Sequence, residues 1–578
     1  MMRLPNLLAT ARGRLTAFFL LYLTEGIPLG FAATAVATQL RRQGVGPAEI
    51  GAFVGAFYLP WAFKWAYGPV VDVFASARLG RRRGWILGMQ VMMVLTLLST
   101  VMLDLPRQLG LFTVILLVHN VFSATQDVAI DALAVNTLQE HERATANGMM
   151  FAGASLGQAV GGSGALFVAA QFGFQSSFYF VCGAILLVTA FVVLPMKEAA
   201  DPAWEAKRGG GLHAALREML SFVVNAFRSF VGTRGAFAGL GMALLPPGAM
   251  CLGLALQSNL AVELGLPDDQ VAWLNLWSTV IGAAGCVLGG LISDRVDRRK
   301  ALNVYILLMS VPVLVLSFIL QREGWITADA NKTGLHNAAL GFLVGAFWVA
   351  TLSYALFNGM MYSTANAIFM DVTNPAVAAT QFTAYMAMAN LAISYSSIWQ
   401  GIGIESWGYP TTMVIDGFFG LAYLLLLPFT RRRPGDPEGF TDSLAPQRAR
   451  KLALGLALMC LAWLPVHFEE SLLGPAQPIA GVLFSLVFVG SAVVLLAGGA
   501  VLLKAHPMLA RTAMGFSALA ALLLLRKFLD DTPAPVQALG HVLLYIVPVL
   551  TAVLLWQLAR QPWRDLAPEP DAAVAAGA

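Results

Sequence analysis

The feature that most constrains this chain is a recurrence: runs of mostly apolar residues follow one another along nearly all of its 578 positions. A helix of about 20 residues crosses the ~30 Å hydrocarbon core of a bilayer. Runs of that size fall near 15–38, 50–71, 84–103, 110–135, 145–171, 176–196, 235–260, 271–292, 301–321, 337–369, 378–403 and 409–430, which makes twelve. After a polar, Pro-containing stretch at 431–451, four more fall near 452–468, 478–503, 512–529 and 537–559. Only 12% of the residues are charged and 58% are hydrophobic, too little polarity to cover soluble cores. The chain therefore reads as an all-α polytopic membrane protein whose first partner is the lipid bilayer. Its net charge of +4 gives no argument for nucleic acid. Cys182, Cys251, Cys286 and Cys460 are dispersed in apolar runs with neither metal-ligand nor redox spacing, so they read as packing residues.

Basic residues set the expected orientation. The first run follows Arg3, Arg12 and Arg14, but it is too long for a signal peptide and holds Glu25 and Pro28, so it reads as a retained helix. With the N-terminus inside, the connections on that side through the twelfth run hold twenty-one Lys and Arg, against five outside (Arg41, Arg42, Arg107, Arg322 and Lys332). Both termini are expected in the cytoplasm, with the chain in the inner (plasma) membrane. The long connection 197–234 divides the twelve runs six and six. Within it, 212–230 has apolar residues at helical spacing, suiting a helix that lies along the inner leaflet or tethers two halves. The expected organisation is a six-helix half (1–196), a linker (197–234), a second half (235–433), a second linker (434–451), four additional transmembrane helices (452–560) and a tail (561–578).

An internal repeat supports the division. Gly68 and Asp72, followed by Arg81, Arg82 and Arg83, recur 222 positions later as Gly290 and Asp294, followed by Arg298, Arg299 and Lys300. The spacing of Asn136 to Ala144-Thr145 recurs 235 positions on, from Asp371 to Ala379-Thr380. In that register Tyr362 and Asn366 of the tenth run stand where Asp127 and Asp131 stand in the fourth.

An ionisable side chain in hydrocarbon costs from about 2.5 kcal/mol upward and asks for a functional reason. Glu25 falls near the midplane among Gly26, Pro28 and Gly30. The fourth run carries His119, Asn120, Gln126, Asp127 and Asp131. The i, i+4 spacing puts Asp127 and Asp131 on one face, with Asn120 a further seven residues back. Two carboxylates so placed favour a shared proton or a cationic partner, and Lys64 in the second run is the candidate. Glu25, Asp127, Asp131 and Lys64 are therefore the expected proton-coupling or ligand-charge residues, and a structural ion pair is the alternative. The second half offers neutral donors and acceptors instead. With Asn120 and Gln126 they form the substrate-binding candidates: Gln257, Asn358, Tyr362, Asn366, Tyr385 and Asn390, any of which could instead hold helices together. No catalytic or phosphate-cradling motif and no metal-ligand set appears in the sequence. The expectation is no enzyme, no cofactor and no metal, with an ion gradient, H⁺ before Na⁺, as the energy source.

In order, these segments resemble the peptide/acetyl-CoA transporter family of the major facilitator superfamily. The residues that carry the resemblance are Leu-Tyr-Leu-Thr-Glu-Gly-Ile-Pro-Leu-Gly (21–30), Phe63-Lys64-Trp65 through Asp72, Gly80-Arg-Arg-Arg-Gly-Trp85, Thr125-Gln126-Asp127-Val-Ala-Ile-Asp131, Phe369-Met-Asp371-Val-Thr-Asn374-Pro375 and Ala378-Ala-Thr-Gln381. They span roughly residues 15–430. The resemblance implies a major facilitator fold of two six-helix halves, here with four extra C-terminal helices. It also implies that Gly68, Asp72 and Arg82, with Gly290, Asp294 and Arg298, latch the inner gate, the glycines allowing helices to approach. The family includes AmpG-like permeases that bring anhydro-muropeptides into the cytoplasm with protons, and acetyl-CoA carriers; related permeases take up siderophores. Glu25 in its first-helix context is similar to the acetyl-CoA-type version. The expected function is proton-coupled import of a polar small-molecule solute by a monomer, an anhydro-muropeptide first among candidates and acetyl-CoA or a siderophore next. A non-transporting sensor or scaffold, or a membrane enzyme, are the readings from other classes.

Overall fold

The computed structural model describes residues 6–74, 79–139, 142–198, 211–293, 295–326, 340–374, 377–431, 443–469, 472–523, 534–563 and 566. Outside them lie Asp294, the basic residues Arg78, Arg432 and Arg433, and the Arg526-Lys527-Asp530-Asp531 group. Asp72 sits in a helix whose side chain at that position is likewise outside the description.

The described residues are helical with turns between, as hydrocarbon requires of a backbone that must satisfy its own polar groups. Twelve helices are long and apolar enough to cross a membrane. One of these, Ala378–Leu426, is two crossings (the eleventh and twelfth) fused at Gly408, whose φ of 80 marks the turn between them. Three further crossings are individually short. The second is broken into Pro47–Ala62 and Lys64–Val73, the seventh into Arg234–Ala243 and Ala255–Glu263, and the fifteenth is Pro507–Leu522. The architecture is that expected, two six-helix halves followed by extra C-terminal helices. Helix starts differ from the hydropathy runs where polar first turns extend the helix. The first begins at Ala11, capped by Thr10 accepting from the Gly13 N–H (3.1 Å), the thirteenth at Ala445, and the fifteenth at Pro507, where a proline needs no N–H partner.

Backbone contact between small residues fixes the first half. A methyl on Gly26 would lie 2.0 Å from the Ala154 carbonyl oxygen, one on Gly157 2.2 Å from that of Leu23, and one on Gly161 1.8 Å from that of Ile27. The first and fifth helices therefore touch backbone to backbone, the route to tight packing where lipid removes the hydrophobic drive. In the second half Gly285 and Gly359 do the same between the eighth and tenth helices. The expected helix-approach glycines, Gly68 and Gly290, do not: an added methyl at either meets nothing within 4 Å. Cys182, Cys251 and Cys460 are buried, unpaired thiols, and Cys286 is half-buried.

The chain divides into two compact units. One is Met1–Leu216, Leu244–Ala367 and Met386–Leu425, which holds most of both halves. The other is Arg217–Ala243, Ile368–Tyr385 and Leu426–Ala578. In the second unit the linker segment forms a helix, Gly211–Gly232, whose larger part packs with the C-terminal helices. Arg448 closes the last turn of that helix by donating from Nη1 to the carbonyls of Val231 (3.0 Å) and Gly232 (3.1 Å). Trp563, buried, packs on Phe227 with ring centroids 5.9 Å apart. Arg448→Ala strips those terminal carbonyls of a charged donor, at a cost of about 1.5–3 kcal/mol. The expected readout is a lower detergent melting temperature, which Arg448→Lys partly restores.

Candidate functional site

The first unit gathers the expected ionisable groups. Pro60 removes one N–H from the second helix, which breaks at Phe63 (φ −104, ψ 12), and Lys64 opens the next helical segment. The Tyr67 hydroxyl donates to the Pro60 carbonyl (3.2 Å) across that break. Lys64 reaches the fourth helix, pairing with Asp127 and, at 3.0 Å, with Asp131. The other oxygen of Asp131 accepts from the Tyr22 hydroxyl of the first helix. Glu25 lies beside Asp127, and its Oε2 is buried without a hydrogen-bond partner. Asp127 is 1% exposed, Lys64 19% and Asp131 41%, so the pair grades from sealed to open. Tyr362 of the opposite half is 46% exposed although Glu25 and Lys64 are among its neighbours and Asn366 bonds it. Tyr362 thus stands near Glu25 and Lys64, with Asn366 bonded to it.

The other candidates separate into two groups. Gln257, Asn358 and Asn390 are half-buried and make no side-chain hydrogen bond among the described residues, which leaves their amides available. Asn120 and Gln126 are fully buried ties. Asn120 donates to the Phe57 carbonyl, and Gln126 donates to Thr24 Oγ1 (2.9 Å), which also accepts from Gln90 (3.2 Å). Tyr385 belongs to the second unit, where its buried hydroxyl donates to the Ala236 carbonyl (3.0 Å) and accepts from Gln381 (3.2 Å). These three tie helices together. An apolar groove of about 640 Å³ between the ninth and tenth helices, lined by Pro312, Val315, Phe342 and Val349, carries no ionisable group.

On the face bearing the basic clusters, the described bonds of Arg82 reach the first half and the start of the linker. Its Nη1 donates to the Val71 carbonyl (3.2 Å), and its backbone N–H meets Glu198 (2.9 Å). Arg298 is the first residue of the ninth helix, whose first turn Asp297 caps. Bonds between the halves are described at the opposite, far face. Arg41 pairs with Glu263 (2.5 Å), which also accepts from the Tyr409 hydroxyl (2.7 Å), and Arg42 pairs with Asp268 (2.6 Å). Below them Asn275 donates to Thr34 (2.9 Å), and Ser394 to the Gly55 carbonyl (2.7 Å). Gly51 and Gly401 bring the second and eleventh helices into backbone contact. Glu263→Gln keeps an acceptor for Tyr409 but removes the charge facing Arg41, weakening this closure by about 1.5–3 kcal/mol. A cysteine at Ser258 should then react faster with a membrane-impermeant maleimide; equal rates would mean the latch does not hold this face.

Sequence reasoning passed over Tyr22, Thr24, Gln90 and the far-face latch. It also passed over Asp416, which the rule applied to Glu25 would have flagged, since Asp416 is an acid inside the twelfth apolar run.

Two six-helix halves, bonded to each other at one face and holding an ionisable cluster with Tyr362 of the second half near it, are the layout of a two-bundle membrane carrier. The chain belongs to the Major Facilitator Superfamily, whose family model matches residues 15–247 and 237–578. It is 23% identical over 426 residues to the anhydromuropeptide permease of Escherichia coli (strain K12), across 72% of this chain and 80% of that one. Among solved structures it is similar to a D-xylose-proton symporter (TM-score 0.51, 15% identity, 74% of this chain and 98% of the other). It is also similar to a POT family transporter in complex with 5-aminolevulinic acid (TM-score 0.53, 9% identity, 72% and 96%). Identities this low in the solved structures show the fold alone. The chain is a multi-pass membrane transporter of the AmpG-like kind.

Proposed function

We propose that the protein imports a polar solute, first of all an anhydro-muropeptide, across the inner membrane in symport with protons, both termini being cytoplasmic. The observation that carries this reading is the set of three carboxyls, Glu25, Asp127 and Asp131, around the ammonium of Lys64. One cation cannot compensate three neighbouring carboxylates of which Asp127 is sealed from solvent, and a proton that joins the cluster as solute binds restores the balance. A muropeptide offers carboxylates for Lys64, and hydroxyls and amides for Tyr362, Asn366 and the unbonded amides of the second half. The far-face latch and the uncrowded Gly68 and Gly290 fit a carrier closed at its far face, one end of an alternating-access cycle. The likeness to the E. coli permease supports the solute class. The test is uptake into proteoliposomes under an inward proton gradient. Labelled anhydro-muropeptide should accumulate above its external concentration, and acetyl-CoA and a siderophore should not. Accumulation that survives collapse of the pH gradient, or none of any solute, would contradict the proposal.

A further inference from the structure

Resting on the reading of this chain as a carrier, we infer that Asp416 is a positioning residue for transport: it pins the unwound middle of the seventh helix and so sets the register of the half-helix that carries the far-face latch.

The break is written in the sequence Leu244-Leu-Pro246-Pro247-Gly248. The two prolines bring no N–H, and Gly248 takes φ +94, a conformation that a side chain resists. The surrounding helices satisfy the freed backbone. The Leu244 carbonyl accepts from the Tyr395 hydroxyl (2.8 Å), and the Gly248 N–H reaches the Gly420 carbonyl (3.3 Å). Gly420 is so close that a methyl there would sit 2.1 Å from the carbonyl carbon of Gly248.

Asp416 does the rest. It is fully buried in the twelfth helix, and both its oxygens are engaged by donors. Oδ2 accepts the backbone N–H groups of Met250 (2.7 Å) and Cys251 (2.9 Å), and Oδ1 accepts the amide of Gln400 (2.7 Å). No Lys or Arg pairs with it among the described residues, so this acid is no part of an ion pair. Carboxylate-to-backbone hydrogen bonds are about twice as strong as neutral ones. Here they stand in for the helical carbonyls that the break removes, at the start of the outer segment. The turn so held, Cys251–Gly253, is followed by one extended residue, Leu254, and then by the half-helix Ala255–Glu263, which carries the latch. Gln257 is half-buried with an unbonded amide, Ser258 reaches the Ala33 carbonyl (3.4 Å), and Glu263 pairs with Arg41. By fixing the turn from which this half-helix departs, Asp416 sets where Gln257 and Glu263 stand, and so links the inward end of the half-helix to the state of the far face.

The test is hydrogen–deuterium exchange on the full chain in nanodiscs, with counterflow as the second readout. Asp416→Asn keeps the volume but loses one acceptor and the charge. Exchange in 250–263 and in 38–45 should rise roughly ten-fold, while the first and fifth helices exchange as before. The maximal counterflow rate should fall by a similar factor with the half-saturating solute concentration unchanged. Gln400→Met, which removes a single donor, should give the same local pattern more weakly and covers the case in which Asp416→Asn does not fold. Unchanged exchange in 250–263, or a rise spread evenly over the chain in both variants, would overturn the assignment. The exchange arm uses neither solute nor proton gradient, so its failure is distinct from failure of the proposed transport activity.

Discussion

Lys64→Gln is expected to abolish solute uptake and to destabilise the protein by about 3–5 kcal/mol, because removing one partner strands buried charge. Asp127, sealed from solvent, loses its counter-ion outright; Asp131, partly open, keeps only the Tyr22 hydroxyl. The double variant Lys64→Gln/Asp127→Asn removes both ends of the sealed pair and should regain most of the stability without regaining uptake. Denaturation followed by tryptophan fluorescence checks the first half of this expectation, and uptake of labelled solute checks the second. If the double variant transports normally, the pair is scaffolding alone.

The second large effect concerns Glu25. Glu25→Gln keeps the shape and the hydrogen-bonding capacity next to Asp127 but cannot exchange a proton. In a one-proton carrier each unit of pH difference supplies about 1.4 kcal/mol, a factor of ten in concentration. A gradient of about two units therefore permits roughly 100-fold accumulation by the parent protein. The Gln variant should bring that ratio to about one, while counterflow, which needs no net proton movement, stays within a few-fold. Loss of counterflow as well would place Glu25 in solute binding rather than in coupling.

Much of this arrangement was legible in the residues. An ionisable group in an apolar run is conspicuous whatever the fold, which is why Glu25, Lys64, Asp127 and Asp131 stood out. The repeat then placed Tyr362 and Asn366 opposite them without any knowledge of helix packing. What stayed hidden depends on partners distant in sequence. Tyr22 and Thr24 look like ordinary helix residues until the fourth helix brings Asp131 and Gln126 to them, 109 and 102 positions away. Asn120 and Tyr385 look as ligand-like as Asn390 until their carbonyl partners, Phe57 and Ala236, are seen. Gly68 and Gly290 illustrate a different limit. A loop motif sums what a chain requires across all its conformations, and a single one need not use every residue of it. The seventh helix was visible as an apolar run at 235–260, yet Pro246-Pro247-Gly248 inside it already announced the break that Asp416 bridges.

The most direct measurement is the pH of a weakly buffered suspension of proteoliposomes, with no gradient imposed, when anhydro-muropeptide is added. If solute and proton enter together, the medium turns alkaline at once, in proportion to solute taken up, and the signal is absent with Glu25→Gln. Solute entering at full rate while the external pH stays flat would contradict the account.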